Sequence, residues 1–461
     1  MKINVLVLFL ISINLQNYLI KSEIVFVFEQ FRNGLYKFIP LGVTEESQNI
    51  GLNRIDKQIT PSSMRAFYLL GLYIREKYKN IINRKITSKN LYMYSKELDI
   101  HVLTAQSQLL GMFPLEEGII LNQIEIDLAF PQTSIPLEAQ QEINCLGNLS
   151  VPKSIKPFAL RYFSDDEKQN LLSINNECPR LTKIKENNIK KEEFQNVMKT
   201  FLQKHGNDLD NMFNLYNRTL INDYDYLSIV IDHFLSYYKN RHFLEQEEKY
   251  NRYKLPKEKL DILFNDCIEF KNKSYLLVEA TKDISIISMS ATMKKLVKYM
   301  EERISYDQKY DETSEELNED NTPKFLMYSN NGLSLYYFQV FLREAFGVEL
   351  KYPFFASNQF VELHRKDGID YKDLKEEDYH IEYYFNGELL LKIDFVDFKN
   401  KVNELEWSSR KINNFCKHKD ANILDHMFYF SLSGTIFIIL ISIIRTKKAA
   451  ERLKSLTESK F

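Results

Sequence analysis

The residues with the clearest chemical potential come early. An apolar strand, Ile24 to Phe28, is expected to run into a turn carrying Arg32-Asn33-Gly34-Leu35-Tyr36. A guanidinium delivered by a buried strand offers a rigid fork of donors matched to an oxyanion. Its neighbour Asn33 cannot attack anything, because the lone pair of a carboxamide nitrogen is delocalised. Four cysteines, Cys145, Cys178, Cys267 and Cys416, include no Cys-x-x-Cys pair, so zinc and redox motifs are absent and three disulfide pairings are open. The histidines lack a His-Glu-x-x-His spacing, and neither a metal nor a cofactor is expected.

The elements that must hold these groups follow from patterning. Thr60-Pro61 starts a helix, with Thr as N-cap and Pro at the first helical position, and Phe67, Leu70, Gly71, Ile74 and Tyr78 trace one face. Asn90–Ser95 reads as a strand, and Thr104–Phe113 as a helix ended by Pro114. Strand alternating with helix implies parallel crossovers, hence an α/β fold with a doubly wound, mostly parallel sheet and helices on both faces. From about Lys185 to Gln308 the pattern is mainly helical, with amphipathic stretches such as Glu193–Lys204 and Tyr226–Tyr238. An acidic run, Asp311–Asn321, precedes a strand, Lys324–Ser329, and a helix, Leu333–Phe346. His380–Tyr384 and Leu389–Phe395 flank Asn386-Gly387, a strong hairpin signal.

Length and charge narrow the class. With 461 residues, 44% of them hydrophobic, the chain can bury a large core, and a formal net charge of -2 gives no reason to expect nucleic acid as a partner. Met1-Lys2 followed by apolar Ile3–Ile13 resembles a secretory leader, taken as residues 1–22. Met427–Ile444 carries no charge and is followed by Arg445, Lys447, Lys448 and Arg452, which suits one transmembrane helix with a cytosolic basic tail, 445–461. The expectation is a single-pass, type I membrane protein, its body in the secretory lumen or outside the cell. Asn148, Asn217 and Asn272 then stand as glycosylation sequons in an oxidising compartment.

Several segments together carry a family likeness. Arg32-Asn33-Gly34 resembles an Arg-His-Gly-x-Arg loop. Thr60-Pro61, Met64-Arg65, Tyr68-Leu69-Leu70-Gly71 and Arg75-Glu76-Lys77-Tyr78 are similar to one framework helix. Ala105-Gln106-Ser107-Gln108-Leu109 with Gly111-Met112-Phe113-Pro114 is similar to the next. Cys178-Pro179-Arg180 and Pro353-Phe354-Phe355-Ala356-Ser357 match later motifs. The chain thus resembles the histidine acid phosphatases, from roughly Glu23 to Cys416. The resemblance implies an α/β domain from 23–184 and 322–416, with a helical cap inserted at 185–321, and a Cys178–Cys416 disulfide that leaves Cys145 with Cys267.

It also implies where chemistry should lie. In that family a histidine attacks phosphorus, an acid protonates the leaving alcohol and several arginines hold the phosphoryl oxygens. Here only Arg32 remains. Asn33 stands at the nucleophile, Tyr36 and Tyr94 at two arginines, and Asn331-Gly332 at the distal His-Asp pair. Loss of a nucleophile typically costs on the order of a millionfold in turnover. The expected protein is therefore an inactive member with a binding or recognition role toward an unidentified lumenal or extracellular ligand, the alternative being a residual acid phosphatase. Arg32, Lys37 and Lys96 could form a rebuilt anion site, although solvated lysines are the plainer reading. His101 is expected to cap or flank the Thr104 helix.

Overall fold

The computed structural model describes residues 22–36, 59–82, 86–113, 120–128, 147–148, 158–162, 178–213, 223–244, 255–309 and 320–417. Residues 1–21 of the expected leader, Lys37, Cys145, Asn217 and the apolar span Met427–Ile444 lie outside the described residues, among which no helix is long and apolar enough to cross a membrane. Seven strands are β1 (Ser22–Arg32), β2 (Leu91–Ser95), β3 (Leu160–Tyr162), β4 (Phe325–Asn330), β5 (Asn358–Lys366), β6 (Tyr379–Phe385) and β7 (Glu388–Asp394). Ser22, counted with the leader on sequence, is the first residue of β1 and lies 3.1 Å from His364 Nδ1 through its hydroxyl. The helices are α1 (Pro61–Lys77), α2 (Asp99–Met112), α3 (Gln123–Leu128), α4 (Pro179–Ile189), α5 (Glu192–Phe213), α6 (Tyr224–Leu244), α7 (Lys257–Ser274), α8 (Lys282–Lys309), α9 (Gly332–Phe346), α10 (Phe395–Leu405) and α11 (Ser409–Lys417).

The sheet runs β3-β2-β4-β1-β5-β6-β7. The β2/β3, β2/β4 and β1/β4 pairs are parallel, whereas β1/β5, β5/β6 and β6/β7 are antiparallel. This corrects the expectation of a mostly parallel sheet: half of the pairings are antiparallel. The connection from β5 to β6 holds only two short 3-10 turns, Tyr371–Asp373 and Glu376–Asp378, and lacks the crossover helix that a parallel pairing usually needs. Asn386 and Gly387 both take positive φ, 48° and 84°, and close the β6–β7 hairpin that the sequence announced.

Thr60 caps α1, accepting from the Ser63 amide at 3.2 Å, with Pro61 beginning the first turn. α1 and α2 pack on one another through glycines. A Cβ on Gly71 would lie 2.1 Å from the Gln108 carbonyl oxygen, and one on Gly111 2.0 Å from that of Tyr68. The two glycine-bearing motifs are thus a backbone contact between helices.

Helices α5, α6 and α7 enclose a core of their own around Phe201, Leu227, Phe234 and Leu263. Tyr36, Ile100 and Phe355 enter that core from the sheet side. α8, placed in the helical insertion on sequence, instead buries Ile287, Met293, Leu296 and Met300 in the core beneath β1 and β4. Cys178 and Cys416 are joined, tying α4 to α11 with Cα atoms 4.6 Å apart. Cys267 is a buried free thiol on α7 whose side chain faces the helical core, and burial pushes the thiol pKa up; Cys145, its expected partner, lies outside the described residues.

Candidate functional site

Open α/β sheets place ligand sites beyond the carboxyl ends of their parallel strands. Arg32 ends β1, and its Cα partner Asn330 ends β4. Arg32 is 4% exposed. The loop Pro353–Ser357 forms its socket. The Pro353 carbonyl accepts from Nη1 at 2.7 Å, the Phe355 ring centroid lies 4.0 Å from the guanidinium carbon, and the Ser357 carbonyl accepts from the Arg32 amide at 2.8 Å. Ala356 adopts φ 60°, a left-handed conformation unusual for a residue with a Cβ, and its amide donates to the Asn33 carbonyl. The motif noticed in the sequence is therefore the cradle of the arginine.

The cap supplies a counter-charge. Asp232 on α6 places Oδ1 3.6 Å from Arg32 Nη2 and Oδ2 3.3 Å from Lys271 Nζ on α7. Lys271 is 2% exposed and donates to the Ser228 hydroxyl at 2.8 Å. Burial alone would lower the Arg32 pKa, but Tyr352, Tyr275 and Asp232 beside it hold it above the ordinary arginine value. Burial pushes the phenols of Tyr352, Tyr275 and Tyr36 up, so all three stay protonated near neutral pH. A carboxylate of the chain thus sits between two buried cations, where a bound oxyanion would otherwise draw its charge.

The structure brings together some of the expected residues and separates others. The Asn33 amide donates to the Asn330 carbonyl, and its side-chain amide turns back to the Gly34 carbonyl at 2.9 Å. Asn331 is the N-cap of α9, accepting from the Ser334 amide and hydroxyl, both at 2.9 Å. Gly332 abuts Arg32, where an added Cβ would meet Cδ, Nε and Nη1 at 3.1 Å. Tyr36 packs edge-on against His233 and Phe355. Tyr94 lies in the core against Tyr328, with Lys295 over its ring. Lys96, just past β2 and half-buried, has its ammonium lowered to about 8 by burial. His101 lies inside α2, which begins at Asp99, and its carbonyl accepts from the Ser329 hydroxyl. Asn148 is exposed in a turn, whereas the Asn272 carboxamide accepts from the Tyr336 hydroxyl at 3.0 Å.

Sequence reasoning missed Asp232 and Lys271, which sit on long amphipathic helices where charges normally read as solvated. It also missed a second cluster. His364, His380 and Glu382, on β5 and β6, offer donor atoms within 4.8 Å of one another. The signal was there as Glu362-Leu363-His364 and His380-Ile381-Glu382, period-2 triplets that each put both polar side chains on one face of a strand.

Comparison with known proteins agrees with this architecture. The chain is 26% identical to human prostatic acid phosphatase over 188 residues, an alignment that spans 41% of this chain and 42% of that protein, well under half of each. The Klebsiella sp. ASR1 phytase superposes with a TM-score of 0.51 at 10% identity, covering 85% of this chain and 98% of the phytase, a likeness of fold. Residues 35–386 match the profile of the histidine phosphatase superfamily, branch 2, and the chain belongs to that family.

Proposed function

We propose that this protein is a non-hydrolysing member of its family, with a binding or recognition role performed from a membrane-anchored ectodomain. The observation that carries this reading is the state of Arg32. Its guanidinium is engaged by the Pro353 carbonyl and the Phe355 ring, and the Asp232 carboxylate lies 3.6 Å away. Around it stand an amide, Asn33, and a helix cap, Asn331, with no imidazole or carboxyl at the two positions the family uses for attack and proton donation. An oxyanion must displace Asp232 to reach the arginine, and at the family's attacking position it meets the carboxamide of Asn33. The leader-like Ile3–Ile13 and the uncharged Met427–Ile444 support a secretory, single-pass placement, and the exposed Asn148 suits a glycan.

The test is turnover of a generic phosphomonoester by the purified full-length chain from mildly acidic to neutral pH, beside Arg32→Ala. Equal, background-level rates are expected. A wild-type rate well above that of Arg32→Ala establishes a residual acid phosphatase and overturns the proposal.

A further inference from the structure

The antiparallel pairing of β5 with β6 has an unusual register. Glu362 faces Glu382 and His364 faces His380, so the triplets Glu-x-His and His-x-Glu meet like against like. Like charges directly opposite on a sheet are destabilising unless something positive lies between them. The four side chains are nonetheless well buried, at 1% and 11% exposure for the glutamates and 9% and 12% for the histidines. The imidazole rings stack with centroids 4.8 Å apart.

We propose that His364, His380 and Glu382 bind a divalent transition-metal ion of the zinc class. Both Nε2 atoms are aimed at the same carboxylate: His364 Nε2 lies 3.5 Å from Glu382 Oε2, and His380 Nε2 3.3 Å from Oε1. Ligand atoms around tetrahedral zinc, at bond lengths of about 2.0–2.2 Å, are themselves about 3.3–3.5 Å apart. The two edges end on different oxygens of Glu382, so a shared ion takes the carboxylate through both oxygens or after its rotation onto one. Imidazole and carboxylate together select zinc, cobalt, nickel or copper over magnesium and calcium.

The surroundings supply the orientation a metal ligand needs. Ser22 Oγ lies 3.1 Å from His364 Nδ1, an arrangement in which Nδ1–H donates outward and Nε2 is left as the ligating lone pair. Glu362, held by Lys77 at 2.6 Å and by the Tyr78 hydroxyl at 2.6 Å, lies 3.0 Å from His364 Nε2, a hydrogen bond that the ring nitrogen gives up when it takes the metal. The Tyr384 hydroxyl donates to Glu382 Oε2 at 2.5 Å, and Lys392 is the competitor at the other oxygen. It sits 2.7 Å from Glu382 Oε1, but its side chain is 58% exposed and can swing into water. The site joins two strands far along the chain from the Arg32 cleft and does not depend on how that cleft functions.

The experiment titrates tag-free, metal-stripped full-length protein with Zn²⁺ by calorimetry, and with Co²⁺ by visible absorption. Expected are one equivalent of Zn²⁺ per chain and the intense absorption bands of a four-coordinate cobalt site. His380→Gln should weaken binding at least about 100-fold while its metal-free melting stays within a few degrees of wild type. Lys392→Ala should tighten it. His380 is only partly buried at the strand surface, so His380→Gln decides the matter even if His364→Gln fails to fold. Absence of Zn²⁺ binding, or binding undiminished in His380→Gln, overturns the proposal.

Discussion

Replacing Asp232 by Asn tests whether the chain fills its own anion site. At an effective dielectric of about 20, a carboxylate 3.6 Å from Arg32 and 3.3 Å from Lys271 interacts with each cation by roughly 5 kcal/mol before desolvation is subtracted. Asp232 retains 26% exposure, so the net loss on removing it is smaller, about 2–4 kcal/mol, much of it from leaving two buried cations without a counter-charge. Those cations then become available to an external oxyanion. With a phosphate dissociation constant of about 1 mM, 10 mM phosphate stabilises Asp232→Asn by about 1.4 kcal/mol. For a chain of this size that is a rise of roughly 1–2 °C in melting temperature. The assay is thermal melting of both proteins with and without phosphate at constant ionic strength. Wild type should not respond; Asp232→Asn should melt lower and recover part of the loss. If phosphate raises both melting points equally, or neither, Asp232 is not the occupant of the site and the reasoning fails.

Three other outcomes follow from the geometry. Gly111→Ala must part α1 from α2, because its Cβ would sit 2.0 Å from the Tyr68 carbonyl oxygen, and a loss of about 3 kcal/mol or more in chemical denaturation is expected. The Glu382 carboxyl resists burial and is brought from the ordinary 4.5 down to about 2 by Lys392, Tyr384 and His364. A folded pKa below the unfolded one gives stability that is complete above pH 4.5 and lost as pH falls through about 2, so Glu382→Gln should flatten the acid limb of the stability curve across that window. Removing the Cys178–Cys416 bridge, whose cysteines are 238 residues apart, should cost about 5 kcal/mol in the chain-entropy account, read as a lowered denaturation midpoint for Cys178→Ala together with Cys416→Ala.

Local rules were legible in the chain because they involve neighbours in sequence. Thr60-Pro61 started α1, Asn386-Gly387 turned the hairpin, and the apolar run from Ile24 became the central strand. The framework motifs also declared the family, since a helix that needs glycine at a backbone contact or a loop that cradles an arginine keeps those residue types in order. The even split between parallel and antiparallel pairings was not legible, because the direction of β5 depends on a connection whose path composition does not specify. Nor could patterning reveal that Asp232 and Lys271 face inward. A charge on an amphipathic helix looks solvated until a second element closes over it. The same holds for Glu362, His364, His380 and Glu382: each triplet was visible alone, but only the register of two strands set glutamate against glutamate and histidine against histidine. The sequence by itself determined which chemical groups are present and which are missing at Asn33 and Asn331. Tertiary structure alone decided which charges meet, because electrostatic pairing acts across space between residues on different elements, as for Arg32 and Asp232, two hundred positions apart in the chain.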